Sequence, residues 1–228
     1  MQGDSWLRRL SWHVLGAACA SVHGLLLFAK VGEDVFAHES GSFDGAVRTW
    51  MLGHCTPALF RAFTWVTNPG ASAPLLGVAL LVCLWLWRGK RRYAASGAIA
   101  APVLAVALFS VIKSVYPPAR PAGAGQFGLL TYAFPSGHAA VSMAAAVTIA
   151  FVLWRERLLT GRVAGVLGAS VPLLVGFSRP HLDEHWATDV IGGWCVGLFV
   201  AGLAGAIYEH LRRDPAMSVV GTPAADAP

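Results

Sequence analysis

Charged side chains are scarce in this chain: Asp, Glu, Lys and Arg make up 13% of its 228 residues, against 56% hydrophobic ones. A soluble globular domain carries about 25% charge, so the composition excludes an ordinary water-soluble enzyme and a charge-rich disordered chain alike. Cysteine contributes 4 residues with no paired spacing. Cys19, Cys83 and Cys195 fall inside apolar runs and Cys55 stands apart, which supports neither a disulfide framework nor a zinc site; they read as small buried hydrophobes. A carboxylate cluster that could bind Mg²⁺ is missing. So is a basic patch with interleaved aromatics, and nucleic acid is therefore not an expected partner.

What the sequence has instead is hydrocarbon-loving runs, with a mean hydropathy of +0.58. Six of them, at approximately 10–29, 71–87, 94–112, 136–154, 160–178 and 189–208, match the 17–20 residues needed to cross about 30 Å of hydrocarbon. The expected fold is all-α: a polytopic membrane protein with a six-transmembrane helix bundle. Pro172 interrupts the fifth run, a break that neighbouring helices and waters can satisfy. The first run follows Arg8 and Arg9 as a signal peptide would, but His13 and His23 interrupt it and no small-x-small site follows, which favours an uncleaved helix.

Orientation follows from Lys and Arg in the short loops. One side collects Arg8, Arg9, Arg88, Lys90, Arg91, Arg92, Arg155, Arg157, Arg162, Arg212 and Arg213. The other carries only Lys30, Arg48, Arg61, Lys113, Arg120 and Arg179. Both termini are therefore expected in the cytoplasm. Residues 1–213 form one expected membrane domain, and 214–228, rich in Ala, Pro and Asp without apolar periodicity, a disordered cytoplasmic tail. In the long 31–70 connection, Phe43, Val47, Trp50 and Met51 recur at 3–4 spacing, predicting an interfacial helix around 43–52, and Thr67-Asn68-Pro69-Gly70 predicts a turn. Gly193, Gly197, Gly202 and Gly205 let the last helix approach its neighbours closely, within the bundle or across a dimer interface.

Three polar clusters border these runs, all at the outer ends. An ionisable group at mid-bilayer costs about 2.5–3.5 kcal/mol on insertion scales, so function is their default explanation. The first is Lys113 with Arg120-Pro121, joined by a loop stiffened by Pro117 and Pro118. The second is Pro135-Ser136-Gly137-His138. There Ser136 is an N-cap candidate, Gly137 admits a ligand to the backbone, and the helix start favours an anion. The third is Ser178-Arg179 with His185 and Asp189. His185 and Asp189 stand i,i+4 at a helix start, where the carboxylate can accept the Nδ1–H and leave Nε2 a free nucleophile, while Arg179 can return to clamp the same anion. Each cluster alone has a bland reading: a snorkelling lysine, a structural cap, a structural His–Asp bond. His181, Asp183 and Glu184 read as solvated loop residues, one of which could instead tune His185.

Taken in order, Lys-x6-Arg-Pro, Pro-Ser-Gly-His and Ser-Arg-x5-His-x3-Asp resemble the three-part signature of the type 2 phosphatidic acid phosphatase family. The resemblance implies a hydrolase that uses neither metal nor other cofactor and works through a phosphohistidine at the outer membrane surface. In it His185 is the nucleophile, Asp189 orients it, and His138 donates a proton to the leaving oxygen. Lys113, Arg120, Arg179, Ser136 and Gly137 hold the phosphate. The implied partners are the lipid bilayer and a membrane lipid phosphate, with oligomeric state open. Undecaprenyl diphosphate, cleaved to the monophosphate and phosphate in a bacterial cytoplasmic membrane with the site facing the periplasm, comes first. Phosphatidic acid, phosphatidylglycerol phosphate and lipid A phosphates are its rivals. Two other classes stay open: the related vanadium-dependent haloperoxidases, which are soluble, and a non-enzymatic lipid transporter, which leaves the His–Asp spacing unexplained.

Overall fold

The computed structural model describes residues 12–115, 120–121, 124 and 133–213. These form eight helices and, among the described residues, no strand: α1 (Trp12–Phe36), α2 (Gly41–Gly53), α3 (Pro57–Thr67), α4 (Ser72–Arg88), α5 (Arg92–Val115), α6 (Gly137–Arg155), α7 (Gly161–His181) and α8 (Ala187–Arg213). The six predicted runs are α1, α4, α5, α6, α7 and α8. Five are long and apolar enough to cross a membrane alone. The sixth, α4, has 17 residues and qualifies together with α3, to which it is joined at a 46° bend. The chain is thus a multi-pass membrane protein. Leu10 and Ser11 of the first predicted run, Pro117 and Pro118, and the tail from Asp214 lie outside the described residues.

Local chemistry sets the helix starts. Thr56 accepts the Leu59 N–H on its hydroxyl and Pro57 takes the first turn of α3, where its missing N–H costs nothing. Thr160 caps α7 in the same way through Val163. The helix expected at 43–52 is α2, and the turn expected at 67–70 closes α3. α3 itself is absent from the sequence reading, because its 11 residues carry too short an apolar pattern to register as a span.

α8 is the spine of the bundle, packed against α1, α5 and α6. Glycines permit the close approach. A Cβ on Gly193 would stand 2.4 Å from the Ser136 carbonyl oxygen, and one on Gly202 2.5 Å from the Ser21 nitrogen, so both contacts lie inside the bundle. Ser21 adds a hydrogen bond to the Phe199 carbonyl (2.8 Å), a kind worth on average about 0.6 kcal/mol between membrane helices. Leu26, Leu81, Val111 and Val166 remain exposed on the outer faces, where hydrocarbon is their solvent.

At the end of the bundle away from the three clusters, Arg155 of α6 pairs with the fully buried Glu209 of α8. Tyr208 donates to Glu156 (2.7 Å), which also receives Arg91 (2.6 Å). These contacts fix the register of α6 against α8. At the opposite end the same register brings the Ser136 N–H to the Asp189 carbonyl (2.8 Å), joining the second cluster to the third.

Candidate active site

Topology gathers the clusters. α5 ends, α6 begins, α7 ends and α8 begins at one end of the bundle. That places Lys113 in the last turn of α5, Ser136, Gly137 and His138 at the start of α6, Arg179 in the last turn of α7, and Asp189 in the first turn of α8. His185 lies in the 182–186 connection, and Arg120 reaches in from the connection between α5 and α6. Lys113, Arg120, Arg179 and His138 are all electrostatic neighbours of His185. The eight residues singled out in the sequence thus converge on one site.

Its centre is the His185–Asp189 pair. His185 Nδ1 lies 3.2 Å from Asp189 Oδ2, and both side chains are buried. The same Oδ2 accepts the Trp186 N–H (2.9 Å), so it is held as an acceptor and the imidazole must carry its proton on Nδ1. Nε2 then presents its lone pair, and Arg120 Nη1 stands 3.4 Å away as the donor facing it. Arg120 is positioned by the Glu184 carbonyl (2.8 Å). Burial first, and then the charges of Arg120, Arg179 and Lys113, hold the His185 imidazole well below the usual histidine range. It therefore stays neutral at physiological pH, as a nucleophile requires.

That shift also predicts a stability trend. The unfolded chain takes up a proton at His185 near pH 6.5 whereas the folded site resists it, so this residue contributes stability above about pH 6.5 that is lost as the pH falls. Melting curves in detergent are expected to show the wild type losing more stability than His185→Asn between neutral and mildly acidic pH. Parallel losses would contradict the buried neutral imidazole.

Five buried side-chain polar atoms among the described residues have no hydrogen-bond partner in the hydrogen-bond network, apart from Thr148 all of them in this site: Ser136 Oγ, Arg179 Nε and Nη2, and Glu184 Oε1. Buried polar atoms are nearly always satisfied, so a group of orphans marks a place for a ligand. Ser136 occupies the N-cap position of α6 without capping it, which corrects the sequence expectation: its hydroxyl makes no bond to the helix N–H groups and is left for something else. Among the described residues the Arg179 side chain makes one hydrogen bond, from Nη1 to Thr67 Oγ1 at the end of α3 (2.8 Å), and its Nη2 lies 3.8 Å from the Glu184 carboxylate. The space at Gly137 is already used, since a Cβ there would stand 3.0 Å from the Phe109 ring, over which Lys113 Nζ lies at 6.0 Å.

The expectation that Asp183 and Glu184 are solvated is overturned. Asp183 is buried and bound by Arg48 Nε and Nη2 (2.6 and 2.7 Å), a bidentate contact that raises Arg48 from its ordinary range. Glu184 is fully buried, 3.5 Å from Arg120 and 3.8 Å from Arg179. The reason is α2, which folds over the connection. Its Asp44 accepts the Thr188 N–H (3.0 Å) and hydroxyl (2.6 Å), capping α8 from outside, while Arg48 one turn on holds Asp183. Thr67, Asp44 and Arg48 are not among the site residues that the sequence points to. The i,i+4 spacing of Asp44 and Arg48 beside an apolar face is the one signal available for the last two.

A family model described as the PAP2 superfamily matches residues 103–213, which hold all three clusters. The chain is 26% identical over 193 residues to phosphatidylglycerophosphatase B of Bacillus subtilis (strain 168), covering 82% of this chain and 94% of the relative. It is 34% identical over 141 residues to the putative undecaprenyl-diphosphatase YbjG of Escherichia coli (strain K12), covering 58% and 66%. The fold matches the crystal structure of a transmembrane PAP2-type phosphatidylglycerolphosphate phosphatase from Bacillus subtilis with a TM-score of 0.78, over 85% of this chain and 98% of that one at 23% identity.

Proposed function

Because this chain belongs to the PAP2 superfamily and is a membrane lipid phosphatase, we propose that it removes a phosphate from a lipid through a covalent phosphohistidine on His185, without a metal ion. The observation that carries the reading is the set of buried orphan donors, Arg179 Nε and Nη2 with Ser136 Oγ, in the same site as an imidazole whose Nδ1–H is committed to Asp189. His185 Nε2 attacks phosphorus in line, the P–O bond to the lipid breaks, and Asp189 balances the positive charge that grows on the ring. Lys113, Arg120 and Arg179 carry the charge on the equatorial oxygens, the share that a divalent cation supplies in other phosphoryl-transfer sites. His138 gives its proton to the leaving oxygen and then takes one from the water that hydrolyses the phosphohistidine.

The substrate we favour is undecaprenyl diphosphate, cleaved to undecaprenyl phosphate and inorganic phosphate in a bacterial cytoplasmic membrane. Two features support it: the likeness to the YbjG protein, and a Lys and Arg distribution that favours the outer side for the site. Phosphatidylglycerol phosphate is the second reading, favoured by the near full-length likeness to phosphatidylglycerophosphatase B. Phosphate release should be measured in detergent with EDTA on undecaprenyl diphosphate, phosphatidylglycerol phosphate and phosphatidic acid. Release undiminished by EDTA and highest on the diphosphate is expected. A preference of ten-fold or so for either monoester would transfer the assignment to that lipid, and dependence on added Mg²⁺ would sink the metal-free mechanism.

A further inference from the structure

Glu184 has no part in the mechanism above, yet its carboxylate is among the most deeply buried in the molecule and stands beside the nucleophile. A structural counter-ion would close a bidentate fork with one of its arginines at about 2.8 Å. Glu184 does not. Its Oε2 stays 3.5 Å from Arg120 and 3.8 Å from Arg179, and its Oε1 has no hydrogen-bond partner. Arg179 Nε and Nη2 are likewise without one, so donors and an acceptor are left over on two buried side chains whose charged groups lie 3.8 Å apart.

An anion with acceptor oxygens alone would satisfy Arg179 and still leave Oε1 facing negative oxygen, a repulsion in a dry site. A phosphoryl group that keeps one proton satisfies both, its bare oxygens taking the Arg179 N–H groups and its P–OH donating to Glu184. We infer that Glu184 is a specificity-determining residue that makes this pocket select a protonated phosphoryl group over anions without a proton to give. The inference rests on the phosphate-pocket reading above and adds to it the protonation state of the bound group.

Sulfate is the discriminating probe, having the size and shape of phosphate but no proton near pH 6, where phosphate keeps at least one. Binding of each inorganic anion to the detergent-solubilised full chain, read as thermal stabilisation, does not depend on turnover. Phosphate is expected to bind about 10- to 100-fold more tightly than sulfate, the range of a charge-assisted hydrogen bond gained against an acceptor left facing an acceptor. In Glu184→Gln the ratio should shrink to about three-fold or less, because the amide can turn its NH₂ to sulfate as readily as its carbonyl to P–OH.

Equal binding of the two anions to the wild type overturns the inference without any variant. So does a Glu184→Gln protein that weakens both anions alike and keeps their ratio, the behaviour of a carboxylate that merely holds the arginines. If neither anion stabilises the wild type, the phosphate-pocket reading falls and takes this inference with it. The two failures are thereby distinguishable.

Discussion

Replacing His185 by alanine is expected to cut phosphate release by about 10⁴-fold or more, because among the described residues it is the imidazole of the site whose Nδ1 faces a carboxylate, the arrangement that frees Nε2 for attack. The protein should stay folded. Asp189 Oδ2 keeps the Trp186 N–H, and the neighbouring Lys113 and Arg120 charges remain. The loss of one buried hydrogen bond should cost about 1–3 kcal/mol. A quench experiment with ³²P in the scissile phosphate separates this role from that of His138. With an aryl phosphate, whose leaving oxygen needs no proton, label should appear transiently on the wild type, accumulate in His138→Gln, where the water step is slowed, and be absent from His185→Ala. Acid-labile label on the His185→Ala protein would overturn the proposed nucleophile.

Asp189 yields the second large effect, and an unusual ordering of variants. Asparagine in place of a catalytic aspartate commonly turns its NH₂ toward the imidazole and forces the wrong tautomer. Here the Trp186 N–H donates to the same Oδ2 that faces His185, so an asparagine must put its carbonyl oxygen there to satisfy two donors. Asp189→Asn therefore keeps the tautomer and loses the charge, with an expected fall in kcat of about 10²-fold. Asp189→Ala loses both, with a fall of about 10⁴-fold. Equal losses in the two variants would mean that the retained hydrogen bond adds nothing beyond the charge, and a worse asparagine would mean that the Trp186 contact does not direct the amide. Either result would contradict this account.

Both predictions depend on residues that the sequence exposes by position alone. Lys113, Arg120, Ser136, Gly137, His138, Arg179, His185 and Asp189 stand at the ends of apolar runs, where charge is expensive and therefore conspicuous. The membrane class, the six runs and the i,i+4 pairing of His185 with Asp189 follow from run length and helix period, properties of the chain taken locally. So does the α2 segment, whose apolar residues repeat at helical spacing.

Burial was not legible in the same way. Asp183 and Glu184 sit in a short connection between two helices, the setting in which acidic residues are ordinarily solvated. Only the packing of α2 across that connection, with Arg48, Arg120 and Arg179 arriving from three other parts of the chain, makes them interior. Ser136 shows the same limit. Its place at the start of α6 is local, but whether its hydroxyl caps the helix or faces a ligand depends on the backbone around it, where its N–H is taken by Asp189 of α8.

Helix length, hydropathy and the spacing of ionisable groups are local quantities, and they mark a membrane protein with three polar clusters at one end, whose resemblance to a family signature implies phosphate chemistry. The tertiary structure alone decided which polar atoms are satisfied and which are left over. Satisfaction is a matter of distance between residues far apart in the chain, Thr67 to Arg179, Asp44 to Thr188, Arg120 to His185. No periodicity encodes it.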